Sequence, residues 1–182
     1  YTGEVAIPAT VAYADNTYSV VRVGEGAFSE CPELTAVTIP TAVTSIGAGS
    51  FNLCTKLTEA TIPEGVTAIE HHTFWSCTAL QKVVVPEGVT RIGYAAFNLC
   101  SALTEMTIPE GVTAIEDHTF YGCSSLTSLT IPDGVTTIGY AAFYKCVGLT
   151  SLKLPEALTT VGESAFWKCS GLTTIAIPRS LK

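Results

Sequence analysis

The sequence has no long apolar segment and little charge. No run approaches the roughly 18 consecutive apolar residues that a membrane-spanning helix needs, so we expect no membrane insertion. Residues 1–14 have neither a basic start nor an apolar block, so no signal peptide is expected there. Charged residues make up only 14% of the chain, against about a quarter in an average protein. Thr, Ser, Ala and Gly fill the difference, which is typical of extracellular β-rich proteins.

Basic residues and histidines are also scarce. The formal net charge of −7 argues against nucleic acid as a partner. The histidines are His71, His72 and His118, and the last two hold the same position two repeats apart, which is too far for one metal ion. We therefore interpret them as solvated turn residues. The sequence predicts no metal site, no cofactor and no catalytic cluster, so we do not expect an enzyme.

What the sequence does have is a strict repeat of 23 residues. Cysteine, phenylalanine and leucine each recur seven times at that step. The cysteines are Cys31, Cys54, Cys77, Cys100, Cys123, Cys146 and Cys169. The phenylalanines run from Phe28 to Phe166 and the leucines from Leu34 to Leu172. A period of this length predicts a solenoid, in which each repeat is one coil stacked on its neighbours.

Each repeat predicts two short strands and a tight turn. In one copy, Leu129 and Ile131 alternate with polar residues, which indicates a strand with one face inward. A Pro-x-Gly segment then indicates a β-turn, and Val135 and Ile138 indicate a second strand. The segment that ends at Cys146 is predicted to be a helical or 3₁₀ turn with its Phe and Cys inside. Stacking buries these side chains in columns about 4.8 Å apart.

The first coil differs from the others. Between Pro8 and Pro40 the chain runs 32 residues, nine more than one period. The additional residues alternate around Ala-Asp-Asn-Thr, which predicts a hairpin with an Asp-Asn turn that caps the first coil. We expect one domain over 1–182. It comprises a capping coil at 1–39, six repeats over 40–177 and the start of a further repeat at 178–182.

The sequence also contains a longer duplication, which spans two repeats. Residues 51–96 and 97–142 are identical at 31 of 46 aligned positions, which is more than the fold requires. Copying two coils lengthens a surface without changing the core. This favours a binding surface over an active site.

We interpret the cysteines as structural residues of the core. Neighbouring coils would bring their Cα atoms to about 4.8 Å, a distance that permits disulfides. Their number is odd, and all seven share an inward column with Phe and Leu, where side chains run parallel. We predict seven reduced, buried thiols that act as small apolar groups.

The repeat pattern resembles that of a known family. The motif I-P-x-G-V-T-x-I-G-x-x-A-F-x-x-C, together with the L-x-x-L-x-L core at Leu126, Leu129 and Ile131, resembles the BspA-like leucine-rich repeats. The resemblance implies a right-handed leucine-rich-repeat solenoid of short parallel strands. It also implies a secreted or cell-surface protein that binds matrix proteins or other host or microbial surfaces, and it brings no catalytic motif.

Two surfaces are candidate binding sites. The first is a stripe of aromatic residues near the buried Phe column, and the core does not demand them, because Asn52 and Asn98 hold the same position. Its members are Trp75, Tyr94, Tyr121, Tyr140, Tyr144 and Trp167. They are suited to anchor a protein or to stack on sugar rings, or else they pack along one another and shield the turn.

The second candidate is the outward face of the first strand of each repeat. Its candidate residues are Glu59, Lys82, Glu105, Thr107, Thr130 and Lys153. We expect a non-catalytic protein-binding module at the cell surface or outside the cell. The alternatives are a carbohydrate-binding module, with glycan as ligand, and a structural spacer for another domain.

Overall fold

Short strands form wherever apolar and polar residues alternate in the repeat. The computed structural model describes residues 1–181, and within that range it contains fifteen strands. They are β1 (Thr2–Ala6), β2 (Thr10–Tyr13), β3 (Asn16–Ser19), β4 (Arg22–Val23), β5 (Glu33–Thr38), β6 (Ser45–Ile46), β7 (Glu59–Thr61), β8 (Ala68–Ile69), β9 (Lys82–Val84), β10 (Arg91–Ile92), β11 (Glu105–Thr107), β12 (Ala114–Ile115), β13 (Ser128–Thr130), β14 (Thr137–Ile138) and β15 (Thr160–Val161). The predicted start of a further repeat includes Lys182, which lies outside the described residues.

Two parallel ladders run along the molecule. In the first, β1, β5, β7 and β9 form one sheet, and the β11–β13 pair and a bridge between Lys153 and Ala176 extend it. In the second, β4 pairs with β6, β8 with β10, and β12 with β14, which also pairs with β15. Partners are one repeat apart, as Glu59 and Lys82 show. The predicted parallel solenoid of stacked coils is confirmed.

The third side of each coil is a pair of turns, and no helix occurs within residues 1–181. Each coil has two residues, four apart, whose φ is positive, with values from 50° to 72°. The first position is held by Gly26, Gly49, His72, Ala95, His118, Ala141 and Ser164, and the second by Glu30, Leu53, Ser76, Leu99, Gly122, Lys145 and Lys168. A left-handed residue interrupts a right-handed helix. The predicted helical or 3₁₀ turn is therefore limited to single i→i+3 hydrogen bonds, such as the one from Trp75 N–H to His72 O at 3.1 Å.

These turns join neighbouring coils through a third backbone ladder. The N–H groups of His72, Phe74 and Ser76 donate to carbonyl oxygens of the next coil at 3.0, 2.9 and 2.7 Å. The same alternate pattern recurs in the other coils, for example from Phe97 N–H to Thr119 O at 3.0 Å. Neighbouring coils are thus hydrogen-bonded through the turns and, where the strands pair, through the two strand ladders as well. The side chains on the turns are held at a fixed spacing.

The core is a set of columns, of which the phenylalanine column is the largest. From Phe28 to Phe166, successive rings are nearly parallel, with centroids 5.4–5.7 Å apart. At the first coil the Tyr1 ring lies 5.0 Å from Phe28 and covers the end of this stack. The predicted inward columns are confirmed.

The predicted N-terminal hairpin is present, with two differences. The turn is formed by Ala14 and Asp15, because Asn16 already pairs with Tyr13, whereas an Asp-Asn turn was expected. Ala14 takes the positive φ of 49° that the two-residue turn needs. All residues of β2 and β3 are exposed, so Val5 and Tyr1, rather than the hairpin strands, contact the apolar end of the first coil.

The thiols form a hydrogen-bonded column, which the sequence analysis did not foresee. Each of six cysteines donates its S–H to the carbonyl oxygen of a phenylalanine in the preceding coil, at 2.9–3.2 Å. These cysteines are Cys54, Cys77, Cys100, Cys123, Cys146 and Cys169. They are free and buried, as predicted, whereas Cys31 is free but only partly buried. It lies in the first coil, where its Sγ is 3.8 Å from the amino group of Tyr1.

Candidate functional site

The predicted aromatic stripe lies on the turn side of the solenoid, and we call it the aromatic ridge. Its members are Trp75, Tyr94, Tyr121, Tyr140, Tyr144 and Trp167. Tyr94, Tyr140 and Trp167 are 39%, 46% and 55% exposed, and the other three are half-buried. The ridge is therefore both packed and open to solvent, so it combines features of the two alternatives that the sequence left open.

Histidines complete the ridge, although the sequence analysis placed them in solvent. His72 lies between Trp75 and Tyr94, with ring centroids 6.2 and 5.1 Å away. His118 contacts Tyr94, Tyr121 and Tyr140 at 5.6, 5.5 and 5.2 Å. Most of these contacts are edge-to-face, an arrangement that aromatic pairs favour. His72 and His118 are half-buried, so their interpretation as solvated residues was wrong. The missed signal was their position three residues before the column that holds Trp75 and Tyr121.

Beyond His118 the ridge continues as a direct stack. The rings of Tyr121 and Tyr144 are 4.5 Å apart and within 3° of parallel. Trp167 meets Tyr144 at 5.1 Å with a tilt of 63°. Lys168 places its Nζ 4.7 Å from the Trp167 ring centroid, within the range of a cation–π contact. This half of the ridge therefore presents aromatic faces with a positive charge beside them.

The fold does not require aromatic residues on the ridge. The column that holds Trp75 and Trp167 holds Ser29, Asn52 and Asn98 in other coils. Those coils keep the same backbone hydrogen bonds, such as Glu30 N–H to Asn52 O at 2.7 Å. Aromatic residues at these positions are therefore a property of the surface rather than of the core.

Polar groups surround the first half of the ridge. The N–H of Tyr94 donates to Nδ1 of His71 at 2.9 Å, and Arg91 forms ion pairs with Glu70 and Glu116. The pKa of His72 is lowered, first by partial desolvation and then by the neighbouring His71. The folded chain therefore favours the neutral form of His72. In this form its ring packs on its aromatic neighbours without a charge to hydrate.

The predicted sheet face lies on the first ladder, away from the ridge. Glu59, Lys82, Glu105, Thr107, Thr130 and Lys153 are all exposed there. Between β9 and β13 the face is concave and encloses about 450 Å³. Glu59 and Lys82 are register partners, yet within residues 1–181 the two form no ion pair within 4.0 Å. The face is smooth and polar. Val84 contributes a large apolar side chain to it, and this side chain is 46% exposed.

The described part of the chain holds no group of three or more His, Cys, Asp or Glu side chains placed to bind a metal ion. Over the same residues, no helix is long and apolar enough to cross a membrane.

Several solved structures share this architecture. A leucine-rich repeat protein from Bacteroides ovatus matches with a TM-score of 0.95 and 39% identity over 98% of this chain and 46% of that one. A leucine rich cell surface protein from Faecalibacterium prausnitzii matches with a TM-score of 0.86 and 37% identity over 94% of this chain and 46% of that one. The chain thus spans less than half the length of these two proteins.

The leucine-rich repeat protein of T. pallidum is a further match. It has a TM-score of 0.82 and 31% identity over 93% of this chain and 77% of that one. No curated protein matches the chain at a significant level.

A family model accounts for the repeats themselves. The model of the BspA type leucine rich repeat region matches residues 13–104 and 96–182, with six copies. These ranges contain all the 23-residue repeats described above and most of the first coil. This chain therefore belongs to the BspA-type leucine-rich repeat family.

Proposed function

We propose that the chain is a non-catalytic module that binds a protein partner through the aromatic ridge. One observation supports this most: half-buried and exposed Tyr and Trp residues form a contacting row at positions where the fold also accepts Asn and Ser. Trp and Tyr are enriched among the residues that dominate protein interfaces. The row is already packed, so binding would order few side chains and lose little entropy.

The proposed setting is the cell surface or the extracellular space. The chain belongs to the BspA-type leucine-rich repeat family, and its F. prausnitzii relative is a leucine rich cell surface protein. A matrix, host or microbial surface protein is the class of partner that suits this setting.

The test is binding of the purified chain to an array of matrix and bacterial surface proteins, measured by biolayer interferometry. The variant Tyr140→Ser/Trp167→Ser removes two exposed members of the ridge. Tyr13→Ser is the matched control, because Tyr13 is 77% exposed on the hairpin. The ridge variant should weaken binding of a partner about 30-fold or more, as loss of dominant interface residues does, and the control should not. The proposal would be contradicted if no protein of the array bound the chain, or if the ridge variant bound the partner as tightly as the unchanged chain.

A second candidate is glycan binding, and a recess beside Trp75 favours it. The recess encloses about 360 Å³ between Trp75, His72, Asn52 and Glu25. An aromatic wall with polar neighbours suits a sugar ring, which presents an apolar face and a hydroxyl rim. Oδ1 of Asn52 is buried there without a hydrogen-bond partner.

Saccharide titrations of tryptophan fluorescence test this second candidate. A saturable change should vanish in Trp75→Phe/Asn52→Ala and persist in Trp167→Phe. No change with any saccharide, or a change that only Trp167→Phe abolishes, would exclude the recess as a glycan site.

A further inference from the structure

A groove runs along the solenoid axis beside the aromatic ridge. It crosses the coils that carry Leu99, Gly122, Lys145 and Lys168, with Val147 on its far wall, and encloses about 470 Å³. Four of these residues occupy the second left-handed position of successive coils. The groove follows the repeat, so an extended segment can lie along it.

The floor and walls of the groove are apolar and exposed. Leu99 is 38% and Val147 43% exposed. Gly122 lies beneath the Leu99 side chain, because a Cβ there would lie 2.8 Å from Cδ2 of Leu99. The fold does not need an apolar residue at this place, since Glu30 and Ser76 hold the same position as Leu99 in other coils.

Two ammonium groups flank the apolar floor. Nζ of Lys145 lies 5.6 Å from the Tyr144 ring centroid, and Nζ of Lys168 lies 4.7 Å from that of Trp167. Within residues 1–181, neither ammonium group has a carboxylate within 4.0 Å. The ridge thus orients both lysines without neutralising them.

The two lysines make the groove locally positive. Lys145 and Lys168 line it directly, in a chain whose formal net charge is −7. The groove is therefore a positively charged place on an acidic protein. Such polarity attracts and orients a partner of opposite charge.

We infer that this groove binds an acidic segment of the protein partner. An apolar side chain of that segment packs in the groove between Leu99 and Val147. Flanking Asp or Glu carboxylates reach Lys145 and Lys168. The inference rests on the proposed protein-binding function and specifies the chemistry of the partner.

The test is selection of a random dodecapeptide display library on the intact chain. Enriched peptides should carry Asp or Glu on both sides of Leu, Ile or Phe. The dissociation constant of a synthetic peptide from this set should rise at least tenfold in Lys145→Glu/Lys168→Glu. The matched control is Lys82→Glu/Lys153→Glu, which makes the same change of net charge on the sheet face and should change the constant less than twofold. Melting curves by circular dichroism verify that both variants fold.

A third variant separates the apolar contact from the charge. Val147→Ser removes apolar surface from the groove and keeps both lysines, so it should weaken the peptide about threefold or more, the effect of roughly one buried methylene. An unchanged dissociation constant in this variant would overturn the apolar part of the inference.

Three outcomes would overturn the whole inference: no enriched peptide, enrichment without acidic residues, or equal loss of binding in the two lysine variants. These outcomes are distinguishable from failure of the proposed function. A partner captured through the ridge, with no lysine-dependent peptide, refutes the groove alone. Lysine-dependent peptides, with no partner captured by the array, support the groove and refute the role given to the ridge.

Discussion

Replacing one buried thiol tests whether the cysteine column holds the coils together. Cys100 is fully buried, and its S–H donates to Phe74 O at 3.1 Å. The same oxygen also accepts the N–H of Cys77 at 3.1 Å. Cys100→Ala removes the sulfur and one of the two hydrogen bonds to this carbonyl. The thiol column thus joins two coils at a point where no strand pairs.

The expected loss follows from these contacts. Burial of a group the size of a methylene contributes about 0.8 kcal/mol. A hydrogen bond contributes about 0.5–1.5 kcal/mol net, with the lower half expected here because the carbonyl keeps its backbone donor. A small cavity adds a few tenths of a kcal/mol. Cys100→Ala should therefore lower the free energy of unfolding by about 2 kcal/mol, which lowers Tm by about 4–8 °C for a chain of this size.

Urea unfolding followed by circular dichroism measures the effect. Cys31→Ala is the matched control, because Cys31 is only partly buried, and its loss should cost less than about 0.5 kcal/mol. Cys100→Ser retains a donor, so it should cost less than Cys100→Ala. A serine variant less stable than the alanine variant would show that the sulfur acts through its apolar volume alone. A loss below about 0.5 kcal/mol for Cys100→Ala would refute the reasoning altogether.

Three other predictions follow from burial and backbone geometry. At pH 8 the native chain should react with a thiol reagent at Cys31 alone, and the unfolded chain should react at all seven cysteines. The reason is that burial disfavours the thiolate and raises the pKa of Cys54, for instance, to about 11. A second thiol that reacts rapidly in the native chain would contradict this prediction. His72 has a pKa below its usual 6.5 in the folded chain, so its contribution to stability is complete above pH 6.5 and is lost as the pH falls towards the folded-state pKa. Urea midpoints against pH should flatten over this range in His72→Gln, and an unchanged slope would contradict it. Glu30 has a φ of 56°, so Glu30→Gly should raise the free energy of unfolding by about 1 kcal/mol, whereas Glu25→Gly, without that geometry, should lower it in the same urea assay.

The architecture could be predicted from the sequence because the same pattern of apolar residues recurs in every repeat. Apolar residues recur in every repeat at the positions of Leu129 and Ile131, so the strand and its inward face were predictable. The positive φ at His72, Ala95 or Lys145 was not. Glycine normally marks such positions, and here residues of ordinary preference hold them because the hydrogen bonds of the neighbouring coils impose the geometry. A helical or 3₁₀ turn was therefore expected where a pair of turns with left-handed residues occurs.

The candidate site was only half predictable for a related reason. The aromatic positions follow from the repeat, and the exposure of Tyr140 and Trp167 agrees with them. The role of His118 depends on contacts with Tyr94 and Tyr140 in the preceding and following coils. The groove is formed by residues of successive coils, Leu99, Gly122 and Lys145 among them. Neither could be read along the chain, because both arise between coils.

The left-handed positions have a consequence for how this surface changes over time. From the first coil to the last, the second of them is occupied by Glu, Leu, Ser, Leu, Gly, Lys and Lys, two residues after a phenylalanine that never varies. A mutation at an exposed one of these positions, such as Glu30 or Lys145, alters the chemistry of the exterior and costs about 1–2 kcal/mol at most in backbone preference. The solenoid therefore has variable surface positions at a regular interval. Substitutions at these positions can change what the surface binds one coil at a time, while the core residues stay the same.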